Sequence, residues 1–552
     1  MKFDREGFKN RHFFLIIISV GFVLRLAAVV WFTPPLFSDD IDYVALGKSL
    51  AHAEGYHLDE QPTAYRPPGY PLFLALSFKS FGDSFVAVRI AQALADMISC
   101  LLVFGLARKL FSEQVGLFAA GIFALFPIQI LYVSVLVTET LFTTLLLLFL
   151  WLCADNVCSW KKSLLAGIVL GIGSLVRPTM LLLPVVVFIV RWVSGGKLQK
   201  NFHALVMISV SGFVVLSPWL LRNYDQFGRI TMTSSTGVNF WIGSHSGANG
   251  SYSYPHDNPL MPIENEFERS DLGIELGLRF IRDHPIEYGV TLAKKWAHFF
   301  SVDYWLLLAM HSQPDFRSAP SAAVVFSTFP AMSVLAIHLP FAAVLLLATF
   351  GSVCHAAQDR WRVLFFLSPC VYWLSVHLVF FAAARYRFPI VPMLMIGSAY
   401  GIDLIIRKEY RWTRGRAVVF CFFALLFTGG WAAERVLIHM KADSERDAVT
   451  IHKSIEKDPG KAVEYHTKSL AMARKHGNKG SVCDNIRDLG VDRILLGDLD
   501  GAKEHLDDAL RLAAAPSFSI DIHSRKCYVM SIMKRGLLHT LTTTPTTPPN
   551  DG

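Results

Sequence analysis

The chain alternates between long apolar runs and short basic connections, a rhythm that suits a bilayer better than a water-facing core. A membrane-crossing helix needs roughly 20 mostly apolar residues. Eleven runs approach or meet that length: Phe13–Phe32, Phe85–Leu106, Val115–Tyr132, Val135–Leu152, Leu164–Val176, Met180–Val190, Ala204–Leu221, Ala322–Phe350, Val363–Ala383, Phe388–Ile406 and Ala417–Trp431. The two beside Arg177-Pro178 are short, which is tolerated only where protein or a wet cavity covers the backbone. The first run follows Lys2, Arg5, Lys9 and Arg11, and Pro34-Pro35 comes after it without a small-residue cleavage site. It therefore reads as an anchor and not as a removed leader.

The polar positions between the runs set the orientation. Basic residues gather at the N-terminus, Arg108-Lys109, Lys161-Lys162, Arg191 to Lys200, Arg360 to Arg362 and Arg407 to Arg416. Short loops rich in Lys and Arg stay cytoplasmic. With eleven spans and the N-terminus inside, all six fall on that side. Two long connections, 33–84 and 222–321, then face outward together with the C-terminal tail.

Composition agrees. Of 552 residues, 53% are hydrophobic and 17% charged, against about 25% charged in soluble proteins, and the mean hydropathy is +0.40. The expected class is an all-α integral membrane protein whose main domain covers 1–434. The net charge of +8 follows from the inner loops and marks no nucleic-acid surface. None of the eight Cys residues forms a CxxC pair, so a structural zinc is not expected. Six Cys lie in or beside spans as packing residues, while Cys483 and Cys527 in the tail are either a disulfide or free thiols.

From about Arg435 the chain turns polar with helix-period apolar positions. Leu489-Gly490, Gly497, Ala502, Leu506 and Ala509 follow the small/large spacing of a tetratricopeptide repeat. A partial second copy stands at Ala462, His466 and Leu470. We expect an extracytoplasmic helical domain over 435–539, able to take a protein partner, with an unrelated helical tail as the alternative. The Thr/Pro-rich stretch 540–552 is expected to be disordered.

Candidate chemistry concentrates in the outward connections and at the span mouths. Asp39, Asp40 and Asp42 follow the first span, and Tyr43 opens an amphipathic run. Acids suit a helix N-terminus, but one would be enough to cap it. Three crowded carboxylates suit catalysis or cation binding. Next comes Tyr65-Arg66-Pro67-Pro68-Gly69-Tyr70-Pro71, where Arg66 suits either a lipid phosphate or a headgroup anchor. Charges inside spans are costly, and each is a functional candidate. Arg25, Arg89, Asp96 and Glu139 are such charges, with Arg89–Asp96 and Arg25–Glu139 as conceivable pairs. Arg177 and Arg222 sit at outward mouths, as do Arg385 and Arg387, which bracket Tyr386. A guanidinium fork grips phosphate bidentately, although Arg385 and Arg387 could instead snorkel to headgroups. The Gly-, Ser- and aromatic-rich stretch Asn239–Tyr254 suits either a sugar or an ordinary interfacial loop. Trp296 and Trp305 read as interface anchors.

The order of these motifs resembles a family. The acidic pair with Tyr43, the RPPGYP stretch, Arg89-Ile90-Ala91-Gln92, Leu125-Phe126-Pro127, Thr138-Glu139 and Leu175-Val176-Arg177-Pro178 are followed by Pro218-Trp219-Leu220-Leu221-Arg222-Asn223, Gly243-Ser244-His245, His284-Pro285 and Ala384-Arg385-Tyr386-Arg387-Phe388-Pro389. Over roughly 12–430 this pattern is similar to the glycosyltransferase family 39-like membrane enzymes. These are relatives of protein O-mannosyltransferases and of the lipid A aminoarabinose transferase, with the GT-C fold.

The resemblance implies a polyprenyl-phosphate-linked sugar donor and transfer on the extracytoplasmic face of the cell membrane, a bacterial inner membrane being the expected setting. It implies Asp39, four residues before Tyr43, as the acceptor-activating base, and Asp40 as the second acidic position, where relatives usually have Glu. Asp42 has no family counterpart and reads as a helix cap. Arg66, Arg177, Arg222, Arg385, Arg387, Glu139 and Tyr43 become donor or substrate contacts. No cofactor is implied, and a divalent cation is not favoured. A flippase of lipid-linked sugars and a non-catalytic scaffold are the competing classes. No inverted hydropathy repeat supports the former, and Asp39 with the arginine mouths argues against the latter.

Overall fold

The structure is a computed structural model. It describes residues 5–36, 38–58, 61–155, 159–253, 258–260, 262–311, 329–354, 360–410 and 412–439, then 463, 467, 470, 486, 489–490, 493 and 496–513. The chain divides into two compact units, Met1–Ile438 and His439–Gly552.

Among its described residues the first unit is helical apart from a two-stranded ribbon, His57–Leu58 against Gln61–Pro62. Its helices run α1 (Arg5–Trp31), α2 (Asp39–Ala51), α3 (Gly69–Phe81), α4 (Phe85–Leu110), α5 (Glu113–Leu125), α6 (Pro127–Tyr132), α7 (Glu139–Cys153), α8 (Trp160–Val176) and α9 (Leu183–Val193). They continue with α10 (Leu198–Phe227), α11 (Thr236–Ile242), α12 (Glu266–Asp283), α13 (Pro285–Phe300), α14 (Tyr304–His311), α15 (Ala331–Cys354), α16 (Arg360–Val379), α17 (Val391–Arg407) and α18 (Arg414–His439). Among the described residues, six helices are long and apolar enough to cross a membrane: Asn10–Trp31, Phe85–Leu110, Leu198–Phe227, Ala331–Cys354, Trp361–Val379 and Ala384–Arg407.

Several sequence-predicted spans are broken or shifted. The run Val115–Tyr132 splits between α5 and α6, because Pro127 holds Phe126 extended at φ −74° and ψ 118°. Pro178 does the same to Arg177, at φ −142° and ψ 115°, and separates α8 from α9 where the sequence divides two short runs. The predicted start at Ala322 lies outside the described residues, and α15 begins at Ala331. Serine side chains cap α4, α5 and α8, each accepting one otherwise orphaned amide: Ser84 from Ala87, Ser112 from Val115 and Ser159 from Lys162.

Helix packing uses small residues, as expected where lipid removes the hydrophobic drive between helices. Gly167 and Gly171 of α8 face α10. A Cβ on Gly167 would lie 1.8 Å from the Ser211 oxygen and 2.4 Å from the Ile208 carbonyl. The core running through α4, α5, α7 and α17 is aromatic and aliphatic, with Phe123, Phe142, Phe149 and Phe388 buried.

The buried charges pair differently from the sequence expectation. Arg25 donates to Asp96 at 2.6 Å and to the carbonyls of Ala124 and Phe123 at 2.8 and 3.1 Å, all fully buried. Arg89 instead donates to Ser134 O and Pro34 O at 2.9 and 3.2 Å. Gln92 bridges the carbonyls of Val133 and Val135 and accepts the Tyr70 hydroxyl. Arg25 and Asp96 therefore tie α1, α4 and α5 together. Arg25→Met should destabilise the fold by about 3–5 kcal/mol by stranding the Asp96 charge, while Arg25→Met with Asp96→Leu recovers most of that. Thermal unfolding in detergent checks both.

Cys100, Cys153, Cys354, Cys370 and Cys421 carry no disulfide, while Cys158, Cys483 and Cys527 lie outside the described residues. In the second unit, α19 (Leu499–Ala513) buries Ala502, Leu506 and Ala509, and Gly490 packs against Leu506. Ala462 and His466 lie outside the described residues, and so does 540–552.

Candidate active site

The first turn of α2 presents Asp39, Asp40 and Asp42, where the helix dipole favours negative charge. Asp39 and Asp42 are one turn apart and share a face; Arg66 takes both. Its Nη2 lies 2.7 Å from Asp39 Oδ1 and 2.9 Å from Asp42 Oδ2, and its Nε lies 3.1 Å from the latter. Asp42 therefore pairs with Arg66 and is more than the helix cap expected from the sequence. Asp40 is buried and turned to the backbone, accepting the Ser38 amide at 2.7 Å. Tyr43 is buried beneath the Arg66 guanidinium at 5.3 Å, and burial pushes its hydroxyl up to about 12.

A second arginine reaches Asp39 from the far end of the chain. The break between α16 and α17 winds into a 3₁₀ turn, Ala384–Ile390, from which Arg385 Nη2 donates to Asp39 Oδ2. Burial alone would raise the Asp39 carboxyl, but the guanidiniums of Arg66 and Arg385 outweigh it and hold it well below the ordinary carboxylate range. Arg385 lies over the rings of Trp305 and Tyr386, at 4.9 and 5.1 Å. Trp305 is buried and lines this site, so its expected role as an interface anchor does not hold.

The Pro178 break contributes Arg177. Its Nη2 lies 2.6 Å from Glu139 Oε1 at the start of α7, its Nε donates to Thr138 Oγ1 at 2.7 Å, and its guanidinium is 5.9 Å from the Tyr386 ring. Glu139 is therefore paired with Arg177 and not with Arg25. The RPPGYP turn is nested against the same break, and a Cβ on Gly69 would lie 2.6 Å from the Leu175 carbonyl carbon. That close approach brings the Arg66 and Arg177 segments together.

Arg222 and Arg387 bind backbone carbonyls. Arg222 donates to the carbonyls of Thr63 and Tyr56 at 2.8 and 3.0 Å. Glu266 meets the same strand from the other side, accepting the Thr63 hydroxyl and the Ala64 amide at 2.8 Å each. Thr233 and Ser234 add bonds to the Tyr65 and Ala64 carbonyls. These contacts clamp the segment that carries Arg66. Glu266→Ala should cost about 1–3 kcal/mol by orphaning two donors and should slow turnover, and Glu266→Gln should cost less because one acceptor remains. Thermal unfolding and transfer rate together test this.

Arg387 is buried and donates to Phe299 O at 2.7 Å and Ser301 O at 2.5 Å, with its guanidinium 3.7 Å from the Phe341 ring. Nearby, Lys295 donates to Leu378 O at 2.8 Å, and burial pulls its ammonium down to about 7. The predicted sugar-binding stretch packs beside this corner: Trp241 is buried on His245, Tyr252 leans on Phe381, and Tyr254 lies outside the described residues.

Sequence reasoning did not find Thr138, Glu266 or the buried Tyr132–Asp303 bond of 2.8 Å beside Phe388. Only Thr138 carried a signal, as the neighbour of Glu139. Among the described residues, no group of three or more His, Cys, Asp or Glu side chains is arranged to hold a metal.

Fold and site together define a multi-pass helical membrane protein with an arginine–carboxylate cluster where its long connections meet broken helices. Residues 65–221 match the family described as dolichyl-phosphate-mannose-protein mannosyltransferase. A 185-residue stretch is 29% identical to undecaprenyl phosphate-α-4-amino-4-deoxy-L-arabinose arabinosyl transferase 2 of Pseudomonas fluorescens, covering 31% of this chain and 30% of that relative. This chain therefore matches less than a third of that relative's length.

Among solved structures, ArnT from Cupriavidus metallidurans bound to undecaprenyl phosphate is similar at 13% identity and a TM-score of 0.46, covering 97% of this chain and 81% of that one. The archaeal oligosaccharyltransferase AglB from Archaeoglobus fulgidus, in complex with an inhibitory peptide and a dolichol-phosphate, is similar at 12% identity and a TM-score of 0.42, covering 78% of this chain and 56% of that one. The glycosyltransferase family 39-like resemblance read from the motif order is borne out by the family match. Arg66, Glu139 and Arg177 lie inside the matched residues, and Asp39, Arg222, Arg385 and Arg387 lie outside them.

Proposed function

We propose that this chain is a membrane glycosyltransferase that moves a sugar from a polyprenyl-phosphate-linked donor to an acceptor on the extracytoplasmic face of a bacterial inner membrane. The observation that carries the reading is Asp39, a carboxylate in the first turn of α2 held between two arginines from distant parts of the chain. A phosphate-linked sugar already has its leaving group. The protein must neutralise the departing polyprenyl phosphate and take a proton from the acceptor.

Arg385, supported by Arg66 and Arg177, serves the first task, because a guanidinium stays charged and grips phosphate oxygens in pairs. Asp39 serves the second as general base. Asp40 and Asp42 hold the turn and the arginine around it, Tyr43 floors Arg66, and Glu139 orients Arg177. Arg222 and Arg387 act through the backbone they hold. Mass spectrometry of envelope glycolipids and glycoproteins, with and without this protein, should reveal one class that loses a sugar. An unchanged envelope would speak against the reading.

We place the N-terminus in the cytoplasm and 222–321 outside, on the strength of the basic short loops. The second unit is placed outside as well, as a tetratricopeptide-like helical domain for a protein partner, supported by the small/large pattern of α19. An impermeant thiol reagent applied from outside should label Cys substituted at Gly247 and at Gly477. Labelling of the Gly477 position from the cytoplasmic side alone would reverse the placement of the second unit.

A further inference from the structure

The proposed base is ion-paired on both sides. Both oxygens of Asp39 are engaged, Oδ1 by Arg66 at 2.7 Å and Oδ2 by Arg385. Each oxygen keeps a second lone pair, but a carboxylate held by two guanidiniums is a poor proton acceptor. The two arginines are not equally committed. Arg66 is shared between Asp39 and Asp42 and pinned by the clamped 56–66 segment, with its ring neighbours Tyr43 and Tyr65 at 5.3 and 4.9 Å. Arg385 has one carboxylate partner, and its Nη1 is buried without a hydrogen bond. It is flanked by the Trp305 and Tyr386 rings, so it has donor capacity to spare and flat surfaces to slide between.

The three arginines are already matched: Arg66, Arg177 and Arg385 pair with Asp39, Asp42 and Glu139, and Asp40 adds a further carboxylate to the same turn. A phosphodiester entering this cluster adds negative charge, and an arginine must change partner to receive it. Arg177 and Arg385 each hold one carboxylate, and of the two only Arg385 holds Asp39, so its exchange is the one that frees the base.

Resting on the transferase reading above, we propose that Arg385 masks Asp39 until the donor phosphate draws the guanidinium away, so that the base is exposed only after the donor has bound. With Arg385 on the phosphate, Asp39 Oδ2 faces the acceptor. As the acceptor oxygen or nitrogen bonds to the anomeric carbon, its proton passes to Oδ2. The carbon–oxygen bond to phosphate breaks, and its electron pair leaves with the polyprenyl phosphate, which is paired to Arg385. The acid form of Asp39 then returns its proton to water when the lipid departs and Arg385 swings back. Such an order protects the donor from attack by water, because Asp39 stays a weak base until a phosphate is bound.

The test is a double-mutant cycle on binding of undecaprenyl phosphate to the purified full chain in lipid nanodiscs. Asp39→Asn removes the partner that competes for Arg385, so the lipid phosphate should bind roughly tenfold more tightly while transfer is lost. Arg385→Gln should weaken binding, and adding Asp39→Asn to it should change nothing further. Equal tightening in both backgrounds would be a general charge effect and would overturn the masking. Unchanged or weaker binding in Asp39→Asn with transfer lost would also overturn it and leave the transferase reading intact. If wild type neither binds the lipid phosphate nor transfers sugar, the transferase reading itself fails, and the masking with it. Asp39→Ser, neutral and smaller, repeats the cycle should the Asn variant unfold.

Discussion

Replacing Asp39 with Asn should lower sugar transfer by about 10²–10⁴-fold, the contribution of a positioned general base. Asn is nearly the same size as Asp and still accepts hydrogen bonds, but it takes no proton at neutral pH. Asn keeps one oxygen for Arg66 and releases Arg385, so turnover is read beside the melting temperature. Asp42→Asn is the informative contrast. It leaves Asp39 in place and weakens one side of the Arg66 fork, so turnover should fall less than tenfold by the roughly 1 kcal/mol scale of a single net hydrogen bond. Steady-state transfer by the two purified variants, with melting temperatures measured in parallel, separates a base from a member of the scaffold. Comparable activity of Asp39→Asn and wild type would remove Asp39 from the chemistry.

Arg385→Lys should weaken the donor's hold by about 10–100-fold, because hydrogen bonds to charged groups are worth about 1.5–3 kcal/mol and each 1.4 kcal/mol is tenfold. Lysine keeps the charge but loses the planar fork and its stacking between Trp305 and Tyr386. The loss should therefore fall mainly on KM for the donor. Arg387→Lys should behave differently. Its guanidinium holds Phe299 O and Ser301 O, so the variant should lose thermal stability with little change in donor KM. The same KM increase in both variants would mean that the two arginines share the phosphate.

Much of this site was legible in the sequence because its charges stand out against apolar surroundings. Asp39, Arg66, Arg177 and Arg385 could be named from their places at the edges of hydrophobic runs. Their pairings could not. Arg385 and Asp39 are 346 positions apart and Arg25 and Asp96 are 71 apart, and no local periodicity encodes such contacts. The sequence offered Arg89–Asp96 and Arg25–Glu139 as conceivable pairs. Helix packing instead put Asp96 beside Arg25 and left Glu139 to Arg177.

Arg222 and Arg387 show a different gap. Sequence marks an arginine at a span mouth but does not say whether it meets a ligand or a backbone carbonyl. Only the fold of the 56–66 and 299–301 segments decides that. The count of eleven spans divided the chain at Pro178 but missed the break at Pro127, although the residue before a proline is biased away from helix. Those breaks matter to function, since one of them delivers Arg177 to the site.

The most direct measurement is the release of free polyprenyl phosphate, followed by mass spectrometry, when purified full-length protein in lipid vesicles is given polyprenyl-phosphate-linked sugars and envelope acceptors. Wild type is predicted to release the lipid phosphate in step with the appearance of a glycosylated acceptor, and Asp39→Asn to release neither above background. Release that is equal in the two proteins, or absent from wild type with every lipid-linked sugar tried, would contradict the account.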